Sequence, residues 1–224
     1  IAADQGYAAS QYNLGLMYDR GMGVAQDYKA AMKWYLLAAD QGYVAAQSNL
    51  GVMYHFGRGI EQDYRTAIKF YLLAAEQKYA NAEYNLGLMY SHGWGVVEDH
   101  KAAEKWYLSA ADQGHPAAQY NLGAMYDTGE GVAQDYKAAM KWYSLAAAQG
   151  DSDAQSALGV MYYNGDGREQ DLIKAQMWFN IAISNGSQTA AEYVNVTSEN
   201  MTPGDISKSQ KMAQECVAKN YKGC

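Results

Sequence analysis

Apolar side chains recur along this chain in two alternating helical registers, and the whole pattern repeats every 36 residues. In one copy Ala46, Leu50, Met53 and Tyr54 stand at i, i+4, i+7 and i+8, which places them on one face of a helix. That spacing predicts a helix from about Val44 to Phe56. Gly57 and Gly59 are the residues expected to stop it. Asp63 then suits an N-cap, where a carboxylate accepts from free backbone N–H groups and complements the helix dipole. A second helix follows, with Ala67, Phe70, Tyr71 and Ala74 on one face. Pro116 falls at the start of the fourth copy's first helix, a position that tolerates proline.

The markers keep step. Asn-Leu-Gly begins at Asn13, Asn49, Asn85 and Asn121, and Ala157-Leu158-Gly159 continues the series. Aromatic residues recur at Trp34, Phe70, Trp106, Trp142 and Trp178, and aspartates at Asp27, Asp63, Asp99, Asp135 and Asp171. A helix-interior glycine costs about 1 kcal/mol against alanine. Gly15, Gly51, Gly87, Gly123 and Gly159 are therefore expected to mark close approach of the paired helix, at Ala31, Ala67, Ala103, Ala139 and Ala175.

The segments Ala46-Gln47-Ser48-Asn49-Leu50-Gly51-Val52-Met53-Tyr54, Gly57-x-Gly59 and Asp63-Tyr64-x-x-Ala67-x-x-Phe70-Tyr71-x-x-Ala74-Ala75 resemble the Sel-one-like repeat family, a branch of the tetratricopeptide-like helical repeats. The resemblance covers about residues 1 to 190. It departs at Lys78, which replaces a glycine, at His100 and Leu172, which replace the tyrosine after the cap, and at Met177, which replaces a lysine. It implies an all-α fold: a right-handed α/α superhelical solenoid of helix-turn-helix repeats, with the first helix of each pair lining the concave side. It also implies an adaptor or scaffold role, often in bacteria.

Ile1-Ala2-Ala3-Asp4-Gln5-Gly6 aligns with Leu37-Ala38-Ala39-Asp40-Gln41-Gly42, so the chain is expected to start inside a second helix. The expected organisation is a five-copy array over residues 1–190 and a capping segment over 191–224. Residues 188 to 199 read as one more first helix, Thr202-Pro203-Gly204-Asp205 as a turn, and Ile206 to Asn220 as a final helix. Terminal repeats need a polar outer face, and Lys208, Gln210, Lys211, Gln214, Glu215 and Lys219 would supply one.

Composition narrows the function. The net charge of −7 weighs against nucleic acid or an anionic membrane as main partner. No apolar run reaches the roughly 20 residues of a membrane span. The Gly-x-Gly pairs follow helices and lack a following Gly-Lys-Ser/Thr, so they read as helix stops, not phosphate loops. His55 stands in one copy and His92, His100 and His115 in the next, with no i,i+4 pair and no cysteine nearby, and no metal or cofactor is expected. No Gly-x-Ser-x-Gly, Ser-x-x-Lys or His-Glu-x-x-His is present, and no catalytic residue is assigned. Three glycosylation sequons, at Asn185, Asn195 and Asn200, are given no function. Lys29 and Lys33, Arg65 and Lys69, Lys101 and Lys105, and Lys137 and Lys141 read as a solvated outer stripe on the second helices.

Positions that vary between copies are free of the packing duty that holds the others constant. On the first helix the face opposite Leu14 carries Tyr12, Leu16 and Asp19, then Val52 and His55, Tyr84, Leu88 and Ser91, Tyr120 and Asp127, and Val160 and Tyr163. This mixed aromatic, aliphatic and polar face is the expected binding site for a protein or peptide ligand. The leading function is a non-enzymatic protein-interaction scaffold. The alternative is an exported hydrolase or cell-wall-binding protein using the same groove, which would need two titratable groups within hydrogen-bond reach in a deep pocket. The sequence names neither the partner nor the oligomeric state.

Cys216 and Cys224 are the two cysteines. A continuous helix would hold their Cα atoms about 12 Å apart, too far to bridge. Asn220 and Gly223 are helix-ending residues, so the tail is expected to fold back and form a disulfide. The tail from Glu215 also resembles one seen on exported members of the family. A periplasmic or secreted location follows, with a cytoplasmic protein carrying two free thiols as the alternative.

Overall fold

The structure, a computed structural model, describes residues 3–221, 223 and 224. The reading of Ile1 and Ala2 as part of a second helix lies outside the described residues. Among the described residues there are twelve helices and no strand. They are α1 (Ala8–Arg20), α2 (Tyr28–Ala39), α3 (Val44–Phe56), α4 (Tyr64–Ala75), α5 (Ala80–Ser91), α6 (His100–Asp112), α7 (Pro116–Thr128), α8 (Tyr136–Ala147), α9 (Ser152–Asn164), α10 (Leu172–Ser184), α11 (Thr189–Ser198) and α12 (Pro203–Ala218). They fall into two compact units, residues 1–110 and 111–224, with the division inside α6. Within the units α1 pairs with α2, α3 with α4, α7 with α8 and α9 with α10, and α2 with α3, α4 with α5 and α8 with α9 carry the stack onward.

Local chemistry sets the helix ends. Asp63 accepts from the backbone N–H groups of Arg65 and Thr66 at 3.0 and 3.1 Å, a cap that contributes about 1 kcal/mol. Gly57 ends α3 in the left-handed region at φ +66°, and its N–H and that of Arg58 both donate to the Met53 carbonyl. Where a tyrosine gives way to His115 at the cap of α7, the ring Nδ1 accepts from the Ala118 N–H at 3.2 Å.

The paired helix approaches the glycine inside each first helix closely, as expected, and the group nearest the glycine is an aromatic ring of that helix one turn on from the alanine. A Cβ on Gly51 would lie 2.4 Å from the Tyr71 ring. Gly15, Gly87, Gly123 and Gly159 meet Tyr35, Tyr107, Tyr143 and Phe179 in the same way. These rings are buried in every repeat. The Trp34 series is less so: Trp142 and Trp178 are buried, whereas Trp34, Phe70 and Trp106 are only half-buried.

A chain of amides ties each pair to the next. In the second repeat, the buried Gln47 sits so that its Nε2 faces the Ala39 carbonyl at 3.5 Å, and its Oε1 accepts from Gln77 at 2.8 Å. Gln11 pairs with Gln41, and Gln119 with Gln149, in the same way. In the last repeat Gln155 accepts from Asn185. Leaving such a buried amide unpaired costs about 1–3 kcal/mol, so the ladder fixes the register between neighbours.

After Ser187 the repeat gives way to α11 and α12, both packed on α10. The segment Thr202-Pro203-Gly204-Asp205 is not a free turn. Thr202 Oγ1 accepts from the Asp205 N–H at 3.2 Å and Pro203 takes the first helical position, so α12 begins there. It ends at Ala218. Asn220 and Tyr221 both have positive φ, 49° and 61°, and Cys224 returns to Cys216 as a disulfide with Cα atoms 5.6 Å apart. Tyr221 caps the amide ladder: its hydroxyl donates to Asn185 Oδ1 at 3.1 Å and accepts from Asn185 Nδ2 at 2.9 Å.

Candidate functional site

The proposed face lies on the first helix of each pair, and its side chains divide into those that pack and those that remain open. In the first unit Leu16, Asp19 and Val52 line one cleft of about 440 Å³, together with Arg20, Asn49 and Arg58. Tyr12 is half-buried, with its ring 5.8 Å from that of Tyr35 and 5.0 Å from that of Tyr43. Tyr84 sits 6.0 Å from Tyr107, and Leu88 and Ser91 follow it along α5, all half-buried. In the second unit Tyr120, Val160 and Tyr163 pack partly onto the core, and Asp127 is half-buried beside them.

His55 differs from the rest of the predicted face. It is 5% exposed and walled in by Phe56, Tyr64 and Trp94, with ring centroids 4.3, 5.5 and 5.0 Å away. It is therefore a core group and not a contact residue. The exposed aromatic surface at this point is Phe56, which stays 59% open.

Asp19 and Asp127 also have a structural partner. The hydroxyl of the buried Tyr35 donates to Asp19 at 3.3 Å, and that of Tyr143 to Asp127 at 3.4 Å. Burial raises the pKa of both tyrosines well above the ordinary phenol value. Burial also raises the Asp127 carboxyl, with Asp166 adding to the effect and the Tyr143 bond opposing it.

Sequence reasoning missed the residue between the paired glycines. Gly59 has φ +73°, and a Cβ there would lie 2.7 Å from Cβ of Tyr28, so the loop of one repeat is pinned to the start of the preceding second helix. Arg58 is thereby set beside the first repeat, and Trp94, at the same position in the next loop, stacks on Tyr64 with centroids 6.0 Å apart. The signal was present: this position changes from Met22 to Arg58, Trp94, Glu130 and Asp166 between flanking glycines that stay constant.

Among the described residues, no group of three or more His, Cys, Asp or Glu side chains is placed to hold a metal, and no helix is long and apolar enough to cross a membrane.

No curated protein matches the chain. Among solved structures, c5321, a protective antigen of uropathogenic Escherichia coli strains displaying an SLR fold, is 35% identical, with a TM-score of 0.85 over 98% of this chain and 48% of that one. The chain thus spans about half the length of that relative. A Sel1 repeat protein from Oxalobacter formigenes is 34% identical, with a TM-score of 0.81 over 93% of this chain and 86% of that one. Immunity protein Pa5087 from Pseudomonas aeruginosa, at 21% identity and a TM-score of 0.56 over 96% of this chain and 80% of that one, shares the fold. The Sel1 repeat model matches five times, at residues 8–43, 44–79, 80–115, 116–151 and 152–187, and the chain belongs to the Sel1 repeat family.

Proposed function

We propose that this protein is a scaffold that holds a peptide or partner helix on the variable face of its first helices. Sel1 repeat proteins are in general protein-interaction scaffolds. The observation that carries the finer reading is the cleft lined by Leu16, Asp19 and Val52: apolar and polar groups together, at positions that vary from repeat to repeat. Such a surface offers buried area and directional bonds to an extended ligand.

The hydrolase alternative needs an acid–base pair that substrate can reach. The Asp19–Tyr35 and Asp127–Tyr143 pairs are within hydrogen-bond distance, but Tyr35 and Tyr143 are 0% and 3% exposed. These pairs anchor a core ring to a helix. The Cys216–Cys224 disulfide favours an oxidising compartment, periplasmic or extracellular.

Site-specific photocrosslinking tests the face. A benzophenone amino acid at Leu88 or Val160 is expected to trap one recurring partner in cells of the source, and the same group at Lys69 or Lys141 is expected to trap none. Crosslinks from the lysine positions alone would move the binding surface to the second helices.

A further inference from the structure

The first-unit cleft has a charge that the chain as a whole does not. The net charge is −7, and only four arginines are present, Arg20, Arg58, Arg65 and Arg168. Two of them, Arg20 and Arg58, line this one cleft. Both are exposed, and among the described residues neither has a carboxylate within ion-pair distance. Arg20 closes the last turn of α1, just before the chain turns at Gly21. Arg58 comes from the next repeat, held there by the contact of Gly59 with Tyr28. Its guanidinium lies 5.3 Å from the Phe56 ring centre, a contact that orients the group while leaving its N–H donors open to solvent.

The other polar groups of the cleft have partners. Asp19 accepts from Tyr35. Gln26 donates to the Asp19 carbonyl at 2.6 Å and to the Tyr28 hydroxyl at 3.1 Å. The cleft therefore carries two guanidinium groups and one carboxylate, a net positive charge, with Leu16 and Val52 as apolar lining beside them.

We propose that this cleft receives an acidic side chain of an extended peptide, so that the partner of the scaffold is an acidic segment with an apolar or aromatic residue beside its carboxylate. Guanidinium groups bind a carboxylate through two parallel N–H bonds, which fixes orientation as well as adding charge attraction. The neighbouring apolar side chain rests on Leu16 and Val52. The inference rests on the groove reading and gives its ligand a chemical class. An acidic chain attracts an acidic ligand only if a local positive field outweighs its overall repulsion, so binding would report on this cleft and not on the general surface.

The test is fluorescence anisotropy with a labelled random copolymer of glutamate and tyrosine and, for comparison, one of lysine and tyrosine, at roughly 0.15 M salt, where the screening length is about 8 Å. The glutamate copolymer is expected to bind. Arg20→Gln/Arg58→Gln should weaken it by about tenfold or more, near 1.4 kcal/mol. Lys33→Gln/Lys69→Gln, which removes the same charge from the outer stripe, should leave it nearly unchanged, and both variants should melt with the native protein. Absence of glutamate copolymer binding, or an equal loss in the two variants, overturns the proposal. The groove reading would still stand if crosslinks from Leu88 and Val160 persist, and would fall with it if they do not.

Discussion

The Tyr143 hydroxyl donates to the Asp127 carboxylate at 3.4 Å, and in the second repeat the equivalent hydroxyl, on Tyr71, is buried with no partner. The reason lies in one substitution. The position of Asp127 is Asp19 in the first repeat, which makes the same bond to Tyr35, but His55 in the second. His55 turns its ring to Phe56, Tyr64 and Trp94, and its Nδ1 is likewise unpaired.

The same substitution in two repeats should therefore differ in effect. Tyr143→Phe removes a hydrogen bond and should destabilise by about 1 kcal/mol. Tyr71→Phe removes only an unsatisfied hydroxyl, and Phe179 already fills this position in the fifth repeat. It is expected to be neutral or stabilising. Denaturant melts of the two variants measure the difference, and equal losses would contradict it.

Lys78 stands where the other repeats have glycine, and it keeps the left-handed backbone, φ +57°. A side chain there costs roughly 1–2 kcal/mol, offset in part by the greater freedom of glycine in the unfolded chain. Lys78→Gly should raise stability by about 0.5–1 kcal/mol. A lower melting temperature would show that the lysine makes a compensating contact.

The Cys216–Cys224 bridge closes a short loop, and the chain-entropy estimate for it is about 2.5 kcal/mol. Its effect should be local, because Tyr221 on that loop caps Asn185. In Cys216→Ser/Cys224→Ser, amide exchange is expected to quicken in α12 and at Asn185 but not in α3. Alkylation of protein from its native compartment without reductant, read by intact mass, should add no label; two labels would remove the argument for export.

Two histidines should make the fold sensitive to mild acid. Burial lowers the pKa of His55 and of His115 below the ordinary value of 6.5. His115 Nδ1 caps α7 as an acceptor, a role that protonation ends. The stability they lend is present above 6.5 and is lost as the pH falls through their folded values. Asp127 and Asp151 run the other way: burial raises both above 3.8, so their contribution is full below that value and is lost as the pH rises through their folded values. Below pH 6.5 the histidines lower stability as the pH falls, and the two aspartates oppose them where they titrate. His115→Asn keeps a capping oxygen and should flatten the fall in melting temperature over that range; an unchanged profile would place the sensitivity elsewhere.

The sequence by itself determined the repeat, the helix pairs, the aspartate caps and the disulfide. Each depends on contacts within a few residues or on a spacing that recurs five times, so local chemistry and periodicity reveal it. Only the tertiary structure decided what meets what across a repeat. The glycine of each first helix faces a tyrosine or phenylalanine ring from the second, and Gln47 joins Gln77 at the end of its own repeat to the Ala39 carbonyl of the repeat before. His55, although on the variable face, turns inward because the loop of the following repeat lays Trp94 over it. Arg58 reaches the cleft of the preceding repeat because Gly59 has no Cβ to hold the loop away from Tyr28. These relations join residues distant along the chain, and helical periodicity specifies the face of a residue but not which neighbour will cover it.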